Sequence, residues 1–316
     1  MNSLFASVNT APEKWQIAPK VPEHPTQGWV RQPVGDSLDL ERILGLPCRP
    51  QVQLDGVQGE ALAELMSARL RRDNPACLCA ALGRPCITRL KPAQAWALYE
   101  APLAGGLLGN IAVGAGKTIV DLLMPLVMPD CKQAVLLIPP SLKEQLFREY
   151  ELLSQHFIVP SLILFPRGTI CPGRPVLHVV PYSKLSREGA TTLLEQLRPD
   201  LVIGDEAHRL KHRATSTTSR VLRYLANHPA TRFCCWSGTL TTKSIGDYAH
   251  LSAFALKDGS PLPLAPDTVD TWATAIDPID WPAPMGRLRL FCVPGETVQS
   301  GFHRRLVETR GVVATQ

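Results

Sequence analysis

From about residue 105 the chain alternates short apolar runs with longer amphipathic stretches. The runs lie at 110–113, 134–138, 161–165, 176–180, 201–204 and 232–236. Several end at Gly, Pro or Asp, and few polar residues interrupt them. Such runs predict strands covered on both faces, as in a parallel α/β sheet. Helices are predicted between them at 118–128, 141–154, 190–197 and 217–227. This region therefore reads as a three-layer α/β domain with a mainly parallel sheet.

Upstream, Leu62, Leu65, Met66 and Leu70 recur at helical spacing and predict an amphipathic helix over 56–72. A loop carrying cysteines follows at 74–86, then a helix at 92–100 that opens on Pro92. Residues 1–35 are rich in Pro, Gln, Ser and Asn without an apolar period, and are expected to be extended or mobile. Beyond 256 the chain becomes Pro-rich, with 289–293 the one further strand candidate. The expected organisation is thus 1–35 as an extended segment, 36–87 as a mostly helical or irregular extension, 88–256 as the α/β lobe and 257–316 as a Pro-rich tail.

Composition narrows the class. The chain has 45% hydrophobic and 19% charged residues, as a globular domain does. No apolar run is long enough to cross a bilayer, and no secretion signal opens the chain. The expected location is the cytoplasm, that of a host if the chain is viral. A net charge of +5 permits nucleic-acid binding without arguing for it. Two basic clusters stand out: Arg69, Arg71 and Arg72, then Arg209, Lys211, His212 and Arg213. Each reads equally well as a solvated face or a phosphate contact.

Nine cysteines without a secretion signal predict reduced thiols. Cys77, Cys79 and Cys86, with Cys48 or a histidine as a fourth ligand, are a candidate Zn²⁺ set. Paired Cys-x₂-Cys knuckles are absent, so a packed loop is the preferred reading. Cys234 and Cys235 fall in a strand and are expected in the core.

Candidate chemistry begins at 110–118, which reads Asn-Ile-Ala-Val-Gly-Ala-Gly-Lys-Thr before an apolar helix. A strand, a glycine turn and a helix N-terminus in that order form a phosphate loop. Its backbone N–H groups converge on phosphate oxygens, and the helix dipole favours the negative charge. Gly114, Ala115 and Gly116 would line the loop, Lys117 would meet the β/γ-phosphates, and the Thr118 hydroxyl would reach Mg²⁺. Ile111 departs from the strict pattern, which has a small residue there.

The apolar run at 201–204 ends in Asp205-Glu206-Ala207-His208. Acids at the carboxyl end of a parallel strand lie where such sheets bind ligands. Asp205 would hold Mg²⁺ and Glu206 would orient the attacking water. Acids at a helix N-terminus for dipole reasons alone are the plainer reading. The phosphate loop earlier in the chain argues against it. His208, with Ser237 and Thr239 at the end of the next strand, would link the nucleotide site to a neighbouring element. All of this requires Lys117 to converge with Asp205 and Glu206.

These motifs together resemble the first RecA-like lobe of superfamily-two helicases, in particular the Snf-like DNA translocases of DEAH type, of which many are phage or bacterial. The likeness spans roughly 88–255. Residues 114–118 resemble motif I. Ile138-Pro139-Pro140-Ser141-Leu142 resembles motif Ia, and Val180-Pro181-Tyr182-Ser183 motif Ib. Residues 205–211 resemble motif II, and Ser237-Gly238-Thr239 motif III. Leu90-Lys91-Pro92-Ala93-Gln94 resembles the family element whose glutamine reads adenine.

The resemblance implies ATP and Mg²⁺ as cofactors. It implies Pro140, Ser141 and Ser183 on a nucleic-acid backbone, with duplex DNA as the track. It also implies a second RecA-like lobe, in the same or another chain, carrying arginine fingers worth ~10³–10⁵ in rate. The expected function is the ATP-binding lobe of an ATP-dependent helicase or translocase. The alternatives are a non-catalytic, nucleotide-gated adaptor and a P-loop ATPase that acts on protein.

Overall fold

The computed structural model describes residues 32–50, 56–71, 79, 82–83, 88–164, 166–238, 244–278 and 282–315. In chain order its helices are α1 (Leu38–Gly45), α2 (Val57–Leu70), α3 (Pro92–Ala104), α4 (Lys117–Val127), α5 (Lys143–Ser154), α6 (Tyr182–Leu185), α7 (Leu193–Leu197), α8 (Ser216–Asn227), α9 (Ala249–Leu256), α10 (Pro266–Ile276) and α11 (Val298–Glu308). The strands are β1 (Leu107–Asn110), β2 (Gln133–Ile138), β3 (Ser161–Leu164), β4 (Arg167–Thr169), β5 (Val176–Pro181), β6 (Leu201–Asp205), β7 (Arg232–Trp236) and β8 (Val312–Ala314).

All the strands lie in one sheet, ordered β4-β3-β5-β2-β6-β7-β1-β8. Every neighbouring pair is parallel except β3 with β4, a short antiparallel hairpin at one edge. This is the expected α/β architecture. Successive strand residues point into two separate cores, because side chains alternate across a pleated sheet. Leu136, Ile203, Cys234 and Trp236 pack on one side with α2–α5. Val135, Leu137, Val202, Phe233 and Cys235 pack on the other with α1 and α6–α11. Coverage of both faces explains why the runs are apolar without alternation.

Two expectations shift. The first strand is Leu107–Asn110, upstream of the apolar run at 110–113. Its glycines conceal it: a Cβ on Gly109 would lie 2.7 Å from Trp236 Cβ on β7, and one on Gly106 would strike the Ala255 carbonyl. Close backbone approach, not low strand propensity, selects them. Ile111, the departure from the loop pattern, is buried in the core beneath the loop.

The second shift concerns the tail. Residues 289–293 are not a strand; Gly286–Phe291 is a 3₁₀ turn. Nor does the Pro-rich segment leave the lobe. It carries α10 and α11, and then β8 pairs in parallel with β1. Its prolines punctuate the segment instead of unfolding it, as Pro266 does in the first turn of α10. Arg304 bonds Glu296 and Glu308, and Arg305 caps carbonyls of α1 and Leu46. Both arginines therefore hold the tail in place.

The expectation for 1–35 falls almost wholly outside the described residues. So do Cys77 and Cys86, two of the three Zn²⁺ candidates. Among the described residues no cluster of His, Cys, Asp or Glu is arranged to hold a metal by itself.

Candidate nucleotide site

The parallel strands deliver their carboxyl ends to one edge of the sheet. Because β7 lies between β6 and β1, the loop after β1 and the acids ending β6 flank the end of β7. Residues far apart in sequence thus meet here. Lys117, the first residue of α4, places Nζ 2.8 Å from Glu206 Oε1 and 3.4 Å from the Ile111 carbonyl. The convergence required of Lys117 and the acidic pair is present.

Local backbone geometry aims these groups. Gly114 and Gly116 both have φ +83°, in the left-handed region that favours glycine. Glu206 also lies there, at φ 53°, an uncommon conformation for a residue with a side chain. The kink directs its carboxylate back over the sheet edge towards Lys117. Its own N–H bonds Asp205 Oδ1 at 2.9 Å. Beneath, the buried Tyr182 hydroxyl donates to the Asp205 carbonyl at 2.8 Å and pins the turn.

Glu206 is engaged from both sides. Its Oε2 accepts from Ser237 Oγ at 3.3 Å and lies 3.2 Å from His208 Nδ1. His208 Nδ1 and Ser237 Oγ are 3.1 Å apart. Ser237 N–H donates to the Gly109 carbonyl at 3.0 Å, tying this turn to the end of β1. His208, Glu206 and Ser237 therefore form one hydrogen-bonded group. Thr239 lies outside the described residues.

Asp205 is buried, and its pKa rises to about 6 because burial disfavours its charge, with the neighbouring Glu206 adding to the effect and Lys117 opposing it. One turn into α4 lies Asp121, an acid that motif reading passed over. It is 1% exposed, and among the described residues the Trp236 side chain is the hydrogen-bonding group set against its carboxyl. Burial, and then the charge of Asp205, hold its pKa well above the usual carboxylate range. The signal was legible: Asp121 is the lone acid in an otherwise apolar helix.

Gln94 does reach the loop, but through its backbone. Nε2 donates to the Ala115 and Gly116 carbonyls, both at 3.1 Å, while Oε1 accepts from Lys91 N–H at 2.8 Å. Lys91 Nζ adds a 3.3 Å bond to the Gly114 carbonyl. From the other side Thr315, just past β8, accepts from Ala112 N–H at 2.7 Å and donates its own N–H to Asn110 at 2.9 Å. No motif pointed to Thr315; only the placement of β8 brings it there.

Pro140 and Ser141, after β2, and Ser183, after β5, are exposed on this same edge. Thr118 follows Lys117 in the first turn of α4, half-buried at the same helix N-terminus.

No family model matches the chain, and no curated protein does. Among solved structures, the DEAH/RHA helicase HrpB of Escherichia coli overlaps at 22% identity and TM-score 0.33, covering 45% of this chain and 19% of that one. The UvsW helicase of bacteriophage T4 overlaps at 16% identity and TM-score 0.38, covering 54% and 60% respectively. The chain thus spans less than two thirds of either protein. The overlaps are too loose to decide function, which rests on the geometry above.

Proposed function

We propose that the chain is the ATP-binding lobe of a nucleic-acid-dependent helicase or translocase. The observation that carries this reading is the 2.8 Å contact between Lys117 Nζ and Glu206 Oε1, formed where a phosphate loop meets an acidic strand end. In this reading a nucleoside triphosphate enters over Gly114, Ala115, Gly116 and Thr118. Lys117 then exchanges the Glu206 carboxylate for phosphate oxygens, and the freed Glu206 faces the γ-phosphate to orient water.

The donor set suits Mg²⁺, a hard ion that keeps most of its water. The Thr118 hydroxyl and the Asp205 carboxylate would hold it beside the phosphates. The bound ion would neutralise charge on the transferred group. The bond from Ser237 to Glu206, and His208 beside both, would let the turn after β7 sense whether Lys117 has left. The exposed Pro140, Ser141 and Ser183 would face a nucleic acid, duplex DNA being the track we favour. A second RecA-like lobe, in the same or another chain, would supply the arginine that completes the site.

Lys117→Ala is expected to remove Mg·ATP binding, measured by calorimetry. Glu206→Gln is expected to keep binding while lowering turnover by roughly 100-fold or more. ATP hydrolysis that rises with added duplex DNA, and whose DNA affinity falls with salt, supports the translocase. ATP binding without any such stimulation, even with the second lobe supplied, would indicate a nucleotide-gated adaptor. Normal hydrolysis by Glu206→Gln would remove the role given to that residue.

A further inference from the structure

We propose that Gln94 positions the phosphate loop and does not read the base, so that the site selects a triphosphate with little preference among nucleobases. This rests on the nucleotide-site reading above.

The argument is an inventory of hydrogen-bonding capacity. A glutamine amide has two N–H donors and one carbonyl oxygen. Recognising adenine in two-point fashion takes one donor for N7 and one acceptor for the N6 amine. Gln94 Nε2 already serves two carbonyls, of Ala115 and Gly116. Oε1 takes the Lys91 N–H and keeps one lone pair, but with both N–H groups in use no donor remains for N7. The residue is 3% exposed, so a base would find little of it to touch. The contact with the loop is also tight: a Cβ on Gly116 would lie 2.2 Å from Gln94 Nε2.

These bonds have a direct consequence for the loop. In a trans peptide the C=O of one residue and the N–H of the next point to opposite sides. Drawing the Ala115 and Gly116 carbonyls towards α3 turns the N–H groups of Gly116 and Lys117 the other way. Those are donors that a phosphate at the start of α4 would use. Lys91 fixes the Gly114 carbonyl as well, on the peptide whose Ala115 N–H donates to the Ala112 carbonyl at 3.2 Å. The start of α3 therefore presets the loop before any ligand arrives, reducing the ordering cost of binding.

The test uses the full chain and three ligands with Mg²⁺: ATP, GTP and inorganic tripolyphosphate, which has no base. Binding is measured by calorimetry for the wild type, Gln94→Met and Gln94→Glu. Met nearly matches the buried length without an amide, and Glu sets a carboxylate against the two carbonyls. Loss of two hydrogen bonds predicts affinities roughly tenfold or more weaker for both variants, by the same factor for all three ligands. Because three hydrogen bonds of a buried side chain are lost, Gln94→Met should lower the ligand-free unfolding midpoint by several degrees, so affinities are compared well below it, where every variant is folded.

Loss of ATP binding alone, with GTP and tripolyphosphate unaffected, would overturn the proposal and assign Gln94 to the base. Variants that bind all three ligands like the wild type would also overturn it. A wild-type chain that binds no triphosphate would instead refute the nucleotide site itself.

Discussion

Two charged pairs in this lobe, one buried and one partly exposed, serve different ends. At the sheet edge near the tail, Arg49 and Glu100 form an ion pair in which each side chain is 5% exposed. Nearly every remaining capacity there is used. Arg49 also donates to the Val307 and Val312 carbonyls, and Glu100 accepts from Gly311 N–H at 2.8 Å. At the carboxyl edge, Lys117 and Glu206 are paired with more exposure, 10% and 20%. Around them two acids are crowded together: Asp121 and Asp205 are both buried and both hold their protons above the ordinary carboxylate range, Asp205 to about pH 6. The saturated pair fastens the tail to α3. The more exposed one can exchange partners, as the proposed nucleotide site would require.

If that contrast is right, the largest effect on stability comes from the saturated pair. Glu100→Ala would leave Arg49 buried without its partner and release Gly311, costing about 3–5 kcal/mol. Denaturant unfolding measures this; a loss below about 1 kcal/mol would show that the pair carries little. Because Gly311 leads into β8 beside the phosphate loop, nucleotide affinity should fall with it.

Asp121→Asn should act in the opposite direction, and only at higher pH. The folded-state pKa of Asp121 lies above the ordinary carboxylate value. Between the two the native protein holds a proton that the unfolded chain has released. Stability therefore falls as pH rises through that window, and the amide variant escapes the penalty. Its advantage should be absent near pH 4 and should grow towards pH 8 in unfolding titrations. A difference that stays constant with pH would mean that Asp121 does not titrate as its burial demands.

The smallest effect is expected at Thr315→Val, which strips the acceptor from Ala112 N–H at the base of the loop. A cost of about 1 kcal/mol is expected, with a few-fold loss of Mg·ATP affinity by calorimetry. Unchanged affinity would separate β8 from the loop energetically, although the two are bonded.

Much of the lobe could be read along the chain because its signals are local. Runs such as 134–138 and 201–204 are apolar whatever lies beside them, and Gly114, Gly116 and Lys117 sit in the order expected of a phosphate loop. What escaped was decided by approach in space. The first strand was obscured by Gly106 and Gly109, which are glycine because β7 and the end of α9 press against them. β8 is three residues long and is a strand only because β1 offers it an edge.

The sequence alone determined the order of the motifs, the α/β class and the identity of the charged groups, since these depend on residue type and spacing. The tertiary structure alone decided their partners. It turned the Gln94 amide onto the loop, buried Asp121 near Asp205, and brought Thr315 to Ala112. Hydrogen bonds form over about 3 Å and are set by direction, whereas the residues that make these lie up to 203 positions apart.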